Sequence, residues 1–239
     1  MKKSTRRIAI VLLVIVLTAG IAVTVYANDY YRAVAVDAYL SSTESVTVTE
    51  IAEGTFFDGA GEDKALLFYP GGKVEETAYA PLLQSLAAQG IDCFLLKMPM
   101  KLAVFGMNKA DSIIEQYPYS EYYLAGHSLG GAMAANYAAK NGGRLSGLFL
   151  LAAYPTEDMT DAAFPVVFLY GDRDGVVNRE KLSDGFALAP ANSERIEIKG
   201  GNHAYFGSYG SQKGDGTADI TPEEQWQLTV DAILRTVNS

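Results

Sequence analysis

Gly126-His127-Ser128-Leu129-Gly130 is the stretch on which the reading of this chain turns. It follows a short apolar run, residues 122–125, and leads into an Ala-rich stretch, residues 132–140, with helical character. A serine set between a strand and a helix, with glycine two places to either side, is the pattern of a tight elbow that presents a nucleophile. Larger side chains at the flanking positions would clash with the adjoining strand and helix, so glycine is required there. The strained turn lifts the Ser128 hydroxyl out of the sheet, and the helix start sets free backbone N–H groups beside it.

Outward from the elbow, short apolar runs alternate with helical patterns. Strands are expected at residues 65–69, 91–97, 122–125, 145–152, 166–170 and 194–198, and helices at 77–89, 109–117, 129–140, 179–187 and 222–237. Residues 45–50 alternate β-branched and polar side chains and read as an edge strand, paired with 55–57. Residues 29–40 read as a helix or connector. Nearly all-apolar strands between helices imply a mostly parallel sheet covered on both faces, an α/β fold. Residues 98–106 and 204–220 lack periodicity. Each follows a strand or a candidate site residue, which reads as a loop at the carboxyl edge of the sheet, where ligands bind, or as a simple surface connection.

The first 27 residues stand apart. Lys2, Lys3, Arg6 and Arg7 precede residues 8–26, which carry no charge and, at ~1.5 Å per residue, make a helix close to the thickness of a bilayer core. The basic flank favours the cytoplasm and sends the remainder of the chain outside. The segment reads as a retained single-pass anchor, being long for a signal peptide, or as a signal peptide cut after Ala27. The parts are then 1–27, the signal anchor or signal peptide; 28–61, a connector with edge strands; and 62–239, the catalytic domain. The chain's formal charge is −9, and removing those four cations leaves −13 on the body. Such an acidic surface disfavours nucleic acid as a partner and is indifferent to a neutral ester. A single cysteine, Cys93, excludes an internal disulfide, and neither a metal-binding cluster nor a dinucleotide loop is visible, so no metal or cofactor is expected.

Serine needs a base within hydrogen-bond reach. Of the two histidines, His127 adjoins Ser128 with its side chain turned away and reads as a packed residue. His203 follows the strand at 194–198, where a base would be delivered to the sheet edge. The base in turn needs an acid. The turn Gly171-Asp172-Arg173-Asp174-Gly175 offers two carboxylates, and either could reach a histidine on the neighbouring loop. The order serine, aspartate, histidine along the chain suits this architecture. One oxyanion donor is expected from the N–H of Leu129. A second is expected from Pro70-Gly71-Gly72-Lys73 after the strand at 65–69, with Gly72 the first choice and Lys73 the second. Tyr205, Phe206 and Tyr209 just after His203 are read as part of the substrate rim, or as packing that anchors the long loop.

This layout resembles the α/β-hydrolase superfamily over about residues 62–237. In its compactness it is similar to the dienelactone-hydrolase-related bacterial branch often labelled α/β-hydrolase fold-5. The resemblance implies that the acid stands three residues after the glycine ending its strand, which selects Asp174 and leaves Asp172 to stabilise the turn. Dienelactone hydrolases proper carry cysteine at the elbow, so Ser128 speaks against that specific activity. Many members insert a helical cap where this chain has only about a dozen residues before Val166, so no large cap and an open, shallow site are expected. The resemblance thus implies an exported serine hydrolase that cleaves carboxylic esters through Ser128, His203 and Asp174. The same residues would also serve an acyltransferase or peptidase, and a third reading is an idle, membrane-tethered binding domain on the same scaffold.

Overall fold

A computed structural model describes residues 3–239; Lys2, one of the four basic residues of the expected flank, lies outside the described residues with Met1. The chain divides into a helical unit ending at Tyr30 and a second unit of residues 31–239. The first is helix α1, Lys3–Asn28. Its portion Ile10–Asn28, with mean hydropathy 2.7, is long and apolar enough to cross a membrane, and a signal sequence has the same character. The Thr18 and Thr24 hydroxyls donate to the carbonyls of Val14 and Gly20 at 2.8 and 2.9 Å, so these two polar groups carry partners within the helix.

The second unit is built on one eight-stranded sheet. Its strands are β1 Thr47–Ile51, β2 Gly54–Asp58, β3 Lys64–Tyr69, β4 Asp92–Leu96, β5 Glu121–His127, β6 Gly147–Leu151, β7 Val166–Gly171 and β8 Glu194–Ile198. They lie in the order β1-β2-β4-β3-β5-β6-β7-β8. The hairpin β1–β2 is antiparallel, and β2 joins β4 antiparallel. The strands from β4 to β8 are all parallel. The edge strands of the connector therefore belong to the same sheet as the parallel strands, within the unit that begins at Tyr31. Ahead of β1, Tyr31 pairs in parallel with Val74, so the chain from residue 31 is already bound to the loop after β3.

Alternation along the parallel strands β3 to β7 sends side chains to two buried faces. On one face Leu66, Phe68, Leu95, Ala125, Phe149 and Leu169 pack with α2, Ala80–Ala87, and α6, Pro222–Val237. On the other, Leu67, Tyr69, Phe94, Leu124, Leu150 and Phe168 pack with α3, Lys109–Gln116, α4, Leu129–Asn141, and α5, Arg179–Ala187. Small residues suit α4 to its place: Ala134, Ala135 and Ala138 are buried and let it lie close over the sheet. Helix α6 starts on a reciprocal cap between Thr221 and Glu224 with Pro222 in its first turn. The run expected as a helix from residue 77 begins instead as a 3-10 turn, Glu76–Tyr79, before α2. The segment between β6 and β7 holds neither helix nor strand, consistent with the absence of a cap.

Candidate active site

Because the strands from β4 to β8 run the same way, their carboxyl ends share one edge of the sheet, and each candidate site residue follows one of them. Ser128 follows β5, Asp174 follows β7, His203 follows β8, and Gly72 follows β3. The elbow is as tight as its glycines suggest. A Cβ on Gly130 would stand 2.2 Å from the Tyr69 carbonyl oxygen, and one on Gly126 would stand 2.6 Å from the backbone of Gly130. Ser128 itself sits at φ 52°, ψ −122°, a conformation that costs a non-glycine residue about 1–3 kcal/mol and is characteristic of functional sites. The turn is held from both sides, with the Ser128 N–H donating to Leu151 and its carbonyl accepting from Ala132.

Asp174 and His203 meet. The Asp174 Oδ2 accepts from His203 Nδ1 at 2.8 Å, and the two side chains are nearly fully buried. The other oxygen, Oδ1, accepts from the N–H groups of Val176 and Val177, each at 2.8 Å. Burial alone would raise the Asp174 pKa. The hydrogen bond and charge of His203, with the two amides, outweigh burial and hold it below the ordinary carboxylate value. An ionised Asp174 keeps the proton of His203 on Nδ1 and leaves the lone pair on Nε2, the form a general base requires. Asp172 faces elsewhere, accepting from the Gly200 N–H at 2.7 Å as a brace for the turn.

Ser128 is partly exposed, whereas His203 is only 1 % exposed. The Nε2 of His203 has no hydrogen-bond partner among the described residues. The His203 ring lies 4.5 Å, centroid to centroid, from that of His127, the residue before Ser128. In an active site without substrate, a general base often lacks its hydrogen bond to the nucleophile.

His127 is a packed residue. Its Nδ1 lies 2.7 Å from the Tyr79 hydroxyl, which accepts the Gly71 N–H at 3.0 Å. With that N–H on its oxygen, the phenol gives its own proton to Nδ1, and His127 carries its proton on Nε2. Burial, reinforced by the neighbouring His203, pushes the His127 pKa well below the ordinary value, so the ring is neutral. Tyr79 thereby ties the loop after β3 to the elbow, a role that nothing in the local sequence signals.

That loop presents three N–H groups with different fates. Gly71 donates to Tyr79, and Lys73, at φ 57°, donates to the Lys101 carbonyl at 2.8 Å. Among the described residues, the N–H groups of Gly72 and Leu129 have no such partner. The two residues adjoin, since a Cβ on Gly72 would lie 2.9 Å from Leu129 Cδ2. Lys73 is thus removed from the pair of expected donors by a bond it already makes.

Of the two readings of the aromatics after His203, burial favours packing for Phe206 and Tyr209. Phe206 and Tyr209 are 1 % and 4 % exposed and pack behind the site, their rings 5.6 and 6.4 Å from His127. Tyr205 is half-buried and packs against the same core. Tyr205 also lines a surface cavity of about 400 Å³ with Asn202, Ser208 and Asp215, while cavities of about 540 and 450 Å³ lie beside β1 and β2 and between α4 and residues 158–164. No group of three or more metal-ligating side chains occurs among the described residues.

Solved structures share this architecture. Est1E from Butyrivibrio proteoclasticus aligns with a TM-score of 0.57 and 13% identity, covering 82% of this chain and 100% of its own. A dienelactone hydrolase from Anabaena variabilis gives 0.62 and 12%, covering 81% and 99%. Carboxylesterase CesB from Bacillus subtilis gives 0.58 and 9%, covering 92% and 98%. At such identities the likeness is one of fold. No curated protein matches the chain by sequence. The model of the alpha/beta hydrolase family matches residues 65–227, from β3 into α6, and the chain is therefore a hydrolase belonging to that family.

Proposed function

We propose that this hydrolase cleaves carboxylic esters with Ser128 as nucleophile, His203 as general base and Asp174 as its orienting acid. The observation that carries the reading is the buried 2.8 Å bond between Asp174 and His203, on the loops after two adjacent parallel strands, with a strained serine at the elbow of β5. Rotation of the Ser128 side chain brings Oγ to His203 Nε2 as substrate enters. The oxygen attacks the ester carbonyl carbon while its proton passes to Nε2, and the resulting oxyanion lies between the N–H groups of Leu129 and Gly72. Collapse breaks the bond to the alcohol, which leaves with the proton from His203. Water, deprotonated by the same nitrogen, then attacks the acyl-enzyme; the bond to Ser128 Oγ breaks, the proton returns from Nε2 to Oγ, and the acid is released.

Lys73 is not a donor in this scheme, since its N–H is already bonded to Lys101. No step calls for a metal or organic cofactor. Helix α1 serves as the membrane anchor, with residues 31–239 outside the cytoplasm; a C-terminal tag recovered only as a shortened soluble product would show cleavage instead. Ser128→Ala is expected to abolish labelling by a fluorophosphonate and to lower p-nitrophenyl acetate turnover by roughly three orders of magnitude or more, with the fold retained. Equal labelling and equal turnover in the mutant would refute the reading.

A further inference from the structure

The long loop after His203 contains a carboxylate that the reaction scheme leaves unused. Asp215, half-buried between two glycines, accepts four backbone N–H groups. Its Oδ1 accepts from His203 at 3.2 Å, Gly175 at 3.1 Å and Gly216 at 2.8 Å, and its Oδ2 accepts from Ala204 at 2.9 Å. Gly175 adjoins Asp174, and His203 is the base itself. One side chain therefore bonds the loop after β7 to the loop after β8, beside the 2.8 Å contact between Asp174 and His203. The backbones close tightly around it, since a Cβ on Gly216 would stand 2.0 Å from the Arg173 carbonyl oxygen. Asn202 adds a second stitch, donating from Nδ2 to the Gly216 carbonyl at 3.0 Å and accepting the Tyr205 N–H at 3.0 Å.

We infer that Asp215 is a positioning residue, a clamp that fixes the distance and angle between Asp174 and His203. An ionised carboxylate suits the task because charge-assisted bonds to N–H groups are about twice as strong as neutral ones. It can also accept from both loops at once, through two oxygens with about four lone-pair sites. Its effect on turnover rests on the serine-hydrolase reading; its effect on the geometry of the pair does not.

The test compares wild type, Asp215→Ala and Asp215→Asn as full chains in detergent. Turnover of p-nitrophenyl acetate is expressed per active site titrated with a fluorophosphonate, so that a smaller folded fraction does not mimic a slower site. Asp215→Ala is expected to lower kcat per site by roughly tenfold to a hundredfold with KM within about twofold, as for a base displaced by a fraction of an ångström. Asp215→Asn keeps an oxygen for Gly175, His203 and Gly216 but turns an N–H₂ towards Ala204. It is expected to lose only severalfold, and it decides the question if Asp215→Ala does not fold. The far-downfield proton resonance of His203 Nδ1–H, bonded to Asp174, should broaden or disappear in Asp215→Ala. An unchanged resonance together with unchanged kcat per site would overturn the clamp. A wild type that takes no phosphonate and cleaves no ester would refute the hydrolase reading instead, and the resonance alone would then judge the clamp.

Discussion

Replacing Tyr79 with phenylalanine removes one oxygen atom and tests how the elbow is held. The side chain is fully buried, and its hydroxyl bridges the Gly71 N–H at 3.0 Å and the His127 Nδ1 at 2.7 Å. Both partners are buried, so Tyr79→Phe leaves a donor and an acceptor stranded, each at a cost of about 1–3 kcal/mol. The phenol no longer has to be desolvated, which returns part of that cost and leaves a net loss of about 2–4 kcal/mol. For a chain of this size each kcal/mol lowers Tm by about 2–4 °C, so a fall of about 5–15 °C is expected. Urea unfolding of the detergent-solubilised chain should show a lower midpoint with an unchanged slope. Turnover should fall as well, roughly tenfold, because Gly71 precedes the proposed oxyanion donor Gly72 and is hydrogen-bonded to the elbow through this bridge. A stability loss below about 0.5 kcal/mol with full turnover would refute the view that Tyr79 ties the loop to His127.

Two further predictions concern the proposed acid and nucleophile. Asp174→Asn keeps the shape but can no longer accept from His203 Nδ1 and both valine amides at once, so the base is held in the wrong tautomer and kcat should fall by roughly three to four orders of magnitude. Since the folded-state pKa of Asp174 lies below its unfolded value, the carboxylate's stabilisation is complete above about pH 4 and is lost as pH falls through the depressed value. The difference in urea midpoint between wild type and Asp174→Asn, wide at pH 7, should therefore narrow on acidification to about pH 3. A constant gap would count against the charged pair. Ser128→Gly should be more stable than Ser128→Ala by about 1 kcal/mol, because glycine accepts φ 52° without strain while alanine keeps it. Equal Tm values would mean that the elbow stores no strain.

The fold was legible because its signals are local. Five of the six parallel strands, β3 to β7, are nearly all apolar and each is followed by a helix or turn, which announces a two-faced sheet. Glycine spacing around Ser128 is just as local, as the 2.2 Å approach of Gly130 to Tyr69 shows. Boundaries were less legible. Strand β5 runs two residues past the apolar run because His127 still pairs with Leu151, a partner on another strand. Likewise β1 and β2 read as a separate connector, since nothing in residues 47–58 reveals that β2 bonds to β4.

In the candidate site, the residues proposed to react carry plainer sequence signals than those that hold them. Nucleophiles and bases are rare residue types in marked positions, and a chain with two histidines offers few choices. Tyr79 and Asp215 act through tertiary hydrogen bonds, and a tyrosine before a helix or an aspartate between glycines looks the same whether or not it makes them. The aromatics after His203 show the same limit from the other side. Composition supplies three rings next to a base, and a ring lines a substrate pocket or fills a core with identical chemistry. Burial decides between these roles. At 1 % and 4 % exposure, Phe206 and Tyr209 pack against His127 and offer almost no surface to a ligand. Their packing leaves the long loop after His203 with a structural task, that of carrying Asp215 back to the seam between Asp174 and His203. A shorter loop would spare the entropy of ordering some seventeen residues, but it would give up that seam.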